Sequence, residues 1–132
     1  MKGYTANIEA LALENELFRK VLYTSKHLQL VLMCVPPEGE IGSETHELDQ
    51  FIRVEEGVGL AVLDGVEHAL EDGSAVVIPA GTLHNIINSS SSDALRLYTL
   101  YGPPEHKDGT VHETKADADM HEEHFDGVTT EH

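Results

Sequence analysis

The sequence predicts an antiparallel all-β fold, a sandwich or a closed barrel, with one short helix near the N-terminus. Two observations carry that expectation. Roughly eight to ten short runs rich in apolar and β-branched residues recur at spacings of about ten residues. Turn chemistry separates them, and 11 glycines and 5 prolines spread along 132 residues favour many turns over long helices.

Taken in order, "NIEALALENE" has the composition of a short helix, with Asn7 placed to cap it. "FRKVLYTS" and "HLQLVLMCV" read as strands parted by Ser25 and Lys26, and Pro36, Pro37 and Gly39 end the second. "QFIRVEEG" alternates in polarity. After Gly57–Gly59 comes "LAVLDGVEHAL", whose Asp64–Gly65 pair is a strong hairpin signal. "DGSAVVIPAG", "LHNIIN" and "LRLYTLYGPP" complete the set, the last apolar on both faces, with Ser89 to Asp93 as a loop. One barrel domain is expected over residues 5–104, since the chain is too short for two domains of ordinary size.

Residues 105–132 differ in character. They carry nine acids against Lys107 and Lys115, and five of the nine histidines. Such a segment is expected as a solvated tail or partly ordered arm. His106, His112, His121 and His124 offer a second, weaker metal-site candidate there, because their spacing is irregular. The net charge of −16 argues against nucleic acid and anionic membrane as partners, since phosphate binding needs the opposite sign. The single Cys34 lies in an apolar run and reads as a small core residue. With no disulfide pair, no signal-peptide pattern and no membrane-length apolar run, a cytoplasmic location is expected.

The chemistry lies in the turns. In "QFIRVEEG", Gln50, Ile52 and Val54 share one face of a strand and Phe51, Arg53 and Glu55 the other. The face with Ile52 and Val54 is the expected interior. If Glu44 and His46 lie on one strand they too point one way, toward the same cavity mouth. An inward carboxylate without a partner would cost several kcal/mol, a cost that a cation resolves. His84 follows the Pro79–Gly81 bend and is a fourth candidate, provided the sheet closes so as to bring it near. Asp49 and Glu47 are stand-ins if the turn runs differently. His27 and His68 read as surface residues and Asn88 as a turn stabiliser.

Residues 73–88 resemble the second motif of the cupin superfamily, with Gly73, Pro79, Gly81, His84 and Asn88 at every expected position. Residues 44–57 resemble the first motif, with His46 and Gly57 in place, Glu44 where a His is usual and Gln50 where a Glu is usual. The wider text is similar to single-domain bacterial cupins often named mannose-6-phosphate isomerase-like. The resemblance implies a double-stranded β-helix, or jelly-roll, barrel. It also implies one divalent transition metal (Fe, Mn, Ni or Zn) on Glu44, His46, Gln50 and His84. The two exchanges together conserve a ligand charge of −1, and two histidines with one carboxylate remain. The reading that follows is a metal-dependent enzyme of isomerase, lyase or dioxygenase type on a small polar substrate. Glu44 is its candidate base, and Tyr98 or Tyr101 a candidate proton donor. The alternatives are a binding module for a metal and a sugar or carboxylate, or a barrel whose value lies in assembly. A homodimer is expected by family analogy, with strands 16–35 as its surface because their apolar content exceeds the need of one face.

Overall fold

The computed structural model describes residues 1–132. Its elements are α1 (Ile8–Glu14), β1 (Arg19–Thr24), β2 (Gln29–Val35), β3 (Asp49–Glu56), β4 (Gly59–Leu63), β5 (Val66–Leu70), β6 (Ala75–Ile78), β7 (His84–Asn88), β8 (Leu95–Gly102), β9 (Val111–His112) and α2 (Lys115–Met120). All the strand pairs are antiparallel. They form a six-stranded sheet ordered β6-β3-β8-β2-β1-β9 and a three-stranded sheet ordered β5-β4-β7. The two close on each other as a jelly-roll barrel, the antiparallel all-β class that the strand spacing predicts and the form that the motif resemblance implies.

Local chemistry accounts for the elements. Asn7 Oδ1 accepts the amide of Ala10 at 3.0 Å and so starts α1. Asp64 and Gly65 adopt positive φ between β4 and β5, the conformation that a two-residue hairpin requires. Gly59 is needed for a different reason: a Cβ there would stand 2.5 Å from the Ile87 carbonyl oxygen of the neighbouring strand. Inward positions of β2, β3 and β8, among them Val31, Met33, Ile52, Val54, Leu95 and Leu97, supply most of the core, and Ile86 of β7 meets them from the smaller sheet. Free Cys34 is buried, and burial raises its thiol pKa, which fits packing rather than nucleophilic chemistry.

The outer face of β2 is covered by α1. Cys34 pairs across the sheet with Arg96, whose Nε donates to the Asn15 carbonyl at the end of α1 at 3.1 Å. The helix therefore lies on that face, packed against β2, β3 and β8. On this outer face Leu32 and Cys34 are buried within the chain, while Leu28, just before β2, is exposed.

Residues 105–132 return along the barrel. β9 pairs with β1, so that His112 stands opposite Arg19. Buried Gln29 holds the start of the arm: its Nε2 donates to the His106 carbonyl at 2.7 Å, and its Oε1 accepts the amides of Glu105 and His106. At the end, Glu131 accepts the Lys2 and Gly3 amides and the Tyr23 hydroxyl.

Two outcomes follow. Asn88 donates to the carbonyls of Val35, Pro36 and Asp93 and accepts the Ser90 amide, so Asn88→Ala strands buried carbonyls. Urea unfolding should register a loss of roughly 3 kcal/mol. The Tyr23 hydrogen bond lowers the Glu131 pKa to about 2. Its stabilising contribution is therefore complete above the ordinary value of 4.5 and lost as pH falls toward about 2. Glu131→Gln should flatten the acid limb of thermal stability in that window.

Candidate metal centre

The two candidate segments meet through the backbone. The amide of Glu44 donates to the His84 carbonyl at 2.9 Å, and the amide of His84 donates to the Glu44 carbonyl at 3.0 Å. The Gly81 amide donates to the His46 carbonyl at 2.9 Å, with Gly81 at positive φ in the turn that Pro79 opens. On its other side His84 pairs with Leu63 of β4. Glu44 forms only an isolated bridge, and His46 lies in an irregular connection rather than on a regular strand. Gln50 comes from the larger sheet, where it faces inward with Ile52 and Val54, as the alternation predicts.

Glu44, His46 and His84 each offer a ligand atom, and those atoms lie within 4.8 Å of one another. His84 Nδ1 donates to the Thr82 carbonyl at 2.9 Å, and His46 Nδ1 donates to the Leu48 carbonyl at 3.2 Å. Carbonyls only accept, so in neutral rings both Nε2 atoms are bare lone pairs turned toward the site. His84 Nε2 is buried and has no hydrogen-bond partner. His46 Nε2 stands 3.0 Å from Gln50 Oε1, a second acceptor, while Gln50 Nε2 donates to Thr99 Oγ1. Two lone pairs facing each other at that distance repel unless the amide turns over, His46 gains a proton, or a cation takes both.

These residues fit a divalent ion. Donors held about 2.0–2.2 Å from one ion and roughly at right angles sit about 3 Å apart, the His46–Gln50 separation. Pinning of each Nδ1 by a carbonyl is the arrangement that fixes metal-binding imidazoles. Two nitrogens, one carboxylate and one amide oxygen suit Fe, Mn, Ni or Zn, and with no thiolate present a structural zinc of the cysteine type is excluded.

The structure changes the role of Glu44. Its side chain is 44% exposed while that of His84 is 4% exposed, so the carboxylate lies at the rim and is not driven to a cation by burial alone. Burial raises the Glu44 pKa, but His84, His46 and Arg19 outweigh it and the net shift is down. For His84, burial lowers the pKa, while Glu44 and the Thr82 carbonyl raise it further, for a net rise. The Glu44 Oε1–His84 Nε2 distance of 3.7 Å is too long for a hydrogen bond, so the attraction is chiefly Coulombic.

Other candidates fall outside the site. Asp49 Oδ1 accepts the Ala80 amide at 2.9 Å and so braces the second turn, and Glu47 is exposed. Tyr98 shares the outer face of β8 with Arg96 and lies against Phe51. Tyr101 faces inward, edge-on to His46, but burial raises its pKa, so its phenol holds its proton. The arm histidines form no metal cluster. His112 lies between Arg19 and the His121 carbonyl, and His124 contacts Glu105. His27 and His68 are exposed, as expected. Sequence reasoning missed Arg19, Gln29 and Thr99. The signal was there in parity: Arg19 shares a face with buried Val21, Gln29 with Val31, and Thr99 with Leu97.

Comparison with known proteins agrees with this geometry. Residues 31–101 match the family model described as Cupin domain. The uncharacterized protein YrkC of Bacillus subtilis is 44% identical over 124 residues, covering 89% of this chain and 66% of that protein. The uncharacterized protein L612 of Acanthamoeba polyphaga mimivirus is 44% identical over 112 residues, covering 82% of this chain and 70% of that protein. The chain thus spans about two thirds of the length of both curated relatives, slightly less for YrkC. The crystal structure of BH2720 from Bacillus halodurans matches with a TM-score of 0.88 at 42% identity, covering 91% of this chain and 96% of that one. No helix of this chain is long and apolar enough to cross a membrane.

Elemental analysis of protein purified without chelator or nickel resin should find close to one transition metal per chain. Alanine at Glu44, His46 or His84 should weaken metal affinity by more than about tenfold, Gln50→Ala by about tenfold at most, and His121→Ala not at all. Protons compete with the ion for His84. Because its pKa is raised, loading should be full above that value and decline as pH falls through it, starting above the ordinary 6.5. Glu44→Gln should lower the His84 pKa itself, as read by NMR titration of the metal-free protein.

Proposed function

The chain belongs to the cupin family, and on that premise we propose that it is a metal-dependent enzyme acting on a small polar substrate. Glu44, His46 and His84 hold the ion and Gln50 lies beside them. The observation that carries this reading is the pair of inward imidazole lone pairs, each locked by a carbonyl behind it, with the His84 nitrogen left without any partner.

A divalent ion there supplies Lewis acidity toward a carbonyl or hydroxyl oxygen. The remaining work belongs to the side chains. His46 and His84 keep fixed orientations, so their donor atoms need no rearrangement when a ligand arrives. Gln50, tied to buried Thr99, presents its amide oxygen next to His46 and orients what binds there. Tyr101 walls the inner side, edge-on to His46. Glu44 is anionic and partly open to solvent, so it is the group placed to receive a proton from a bound ligand.

A second reading is favoured by one observation. Tyr98 faces outward and Tyr101 holds its proton, so once Glu44 and both histidines act as ligands no further acid or base remains among the site residues. That suits a module that binds a metal and a small ligand without turnover.

The two readings separate in a turnover screen of the Fe, Mn, Ni and Zn forms, with dioxygen uptake and sugar-phosphate isomerisation as readouts. The enzyme reading expects turnover in at least one form and its loss in His84→Ala. Inactivity in every form, with tight retention of a small ligand, establishes the binding module.

A further inference from the structure

A small cavity of about 60 Å³ adjoins the centre, lined by Arg19, Glu44, Glu105, His106, His112 and His124, among others. Glu44 is shared with the metal centre, so a ligand in the cavity is a neighbour of the ion. At about 10–15 Å³ for each water-sized occupant, the space holds roughly four, the size of a two- or three-carbon molecule.

Arg19 is the unusual group in this wall. The chain has three arginines among 24 acids. Arg53 pairs with Glu55 and Arg96 with Glu56, but Arg19 has no carboxylate within 4.0 Å. It is half-buried, and its Nε is buried without a hydrogen-bond partner. Such a guanidinium is expensive to leave unmatched. Its one polar partner is His112 Nδ1, 3.3 Å from Nη1. His112 Nε2 donates to the His121 carbonyl at 3.2 Å, so Nδ1 is an acceptor and the ring is neutral. The arm therefore orients Arg19 without neutralising it.

Glu44 feels the charge of Arg19 at longer range, but none of the acids around the cavity forms an ion pair with it. Glu123 pairs with Lys107 and Asp119 with Lys115, Glu105 accepts from His124, and Glu122 is exposed. His106 adds a second unmatched group, with its Nε2 buried and partnerless. Burial lowers the His106 pKa to about 2, with Arg19 acting in the same direction, so its ring is neutral and one nitrogen is left to donate.

We infer that this cavity binds a small monocarboxylate, anchored by Arg19 with His106 as a second donor and its other end directed at the metal centre. The inference rests on the metal reading above. A carboxylate matches the planar fork of a guanidinium, and its single charge balances the single unmatched cation. A phosphate dianion would bring a second charge up against Glu44 and Glu105.

The test uses the full chain loaded with Co(II), read by visible absorption and by calorimetry, with glycolate, glycolamide and inorganic phosphate as probes. Glycolate should perturb the cobalt spectrum on binding. Glycolamide, its uncharged counterpart, and phosphate should each bind at least about tenfold more weakly. Arg19→Met should lose at least about tenfold in glycolate affinity while cobalt is still taken up, and Arg19→Lys should recover part of the loss. Equal binding of glycolate and glycolamide by the unmutated protein overturns the anchor, and so does glycolate binding unaffected by Arg19→Met. Phosphate binding tighter than glycolate overturns the carboxylate assignment. Failure of the unmutated chain to take up cobalt overturns the metal reading and the anchor together, whereas cobalt uptake with charge-blind binding overturns the anchor alone.

Discussion

The reciprocal backbone pair between Glu44 and His84 is the constraint on which the rest of the centre depends. It is an isolated two-residue bridge, outside any long ladder, yet it joins chain segments forty positions apart in sequence. One hydrogen bond contributes only about 1 kcal/mol net, so the bridge does not hold the barrel together. Its value is positional. With the backbones of residues 44 and 84 locked face to face, their side chains leave from adjacent points on one rim. Gly81 adds a third bond, to His46, and only a residue tolerant of positive φ can make that turn. The barrel core supplies the rigidity that keeps the bridge in register, and the bridge converts that rigidity into a fixed set of donor atoms.

The donor set shows why two exchanged residue types leave a workable centre. Moving the carboxylate from the strand to the connecting segment places the charge at the rim, where water screens it, and leaves a neutral amide in the buried position on β3. A fully buried carboxylate would need a permanent counter-charge. A buried amide needs only hydrogen bonds, one of which its Nε2 donates to Thr99 Oγ1. The metal-free protein can therefore fold without a large desolvation penalty.

The arm gives the barrel mouth its second wall. Gln29, buried in β2, spends both halves of its amide on the chain at Glu105 and His106, and β9 then zips onto β1. This places His112 beside Arg19 and closes a small cavity against the rim carboxylate. Acids dominate the arm, and most near the cavity are paired or open to water. Arg19 is the one arginine there without a carboxylate ion pair.

Much of this was legible in the chain itself. The alternation in β3 placed Gln50 inside with Ile52 and Val54, the Asp64–Gly65 pair marked the hairpin, and the composition around Asn7 marked the helix, because period and turn chemistry are local properties of the backbone. The candidate ligands were legible by type and spacing. Tertiary structure alone decided that residues 44 and 84 are hydrogen-bonded partners, that Glu44 lies at the rim, and that the arm delivers His112 to Arg19. These facts depend on contacts between residues far apart in sequence, and no local pattern encodes which distant backbone a given amide will find.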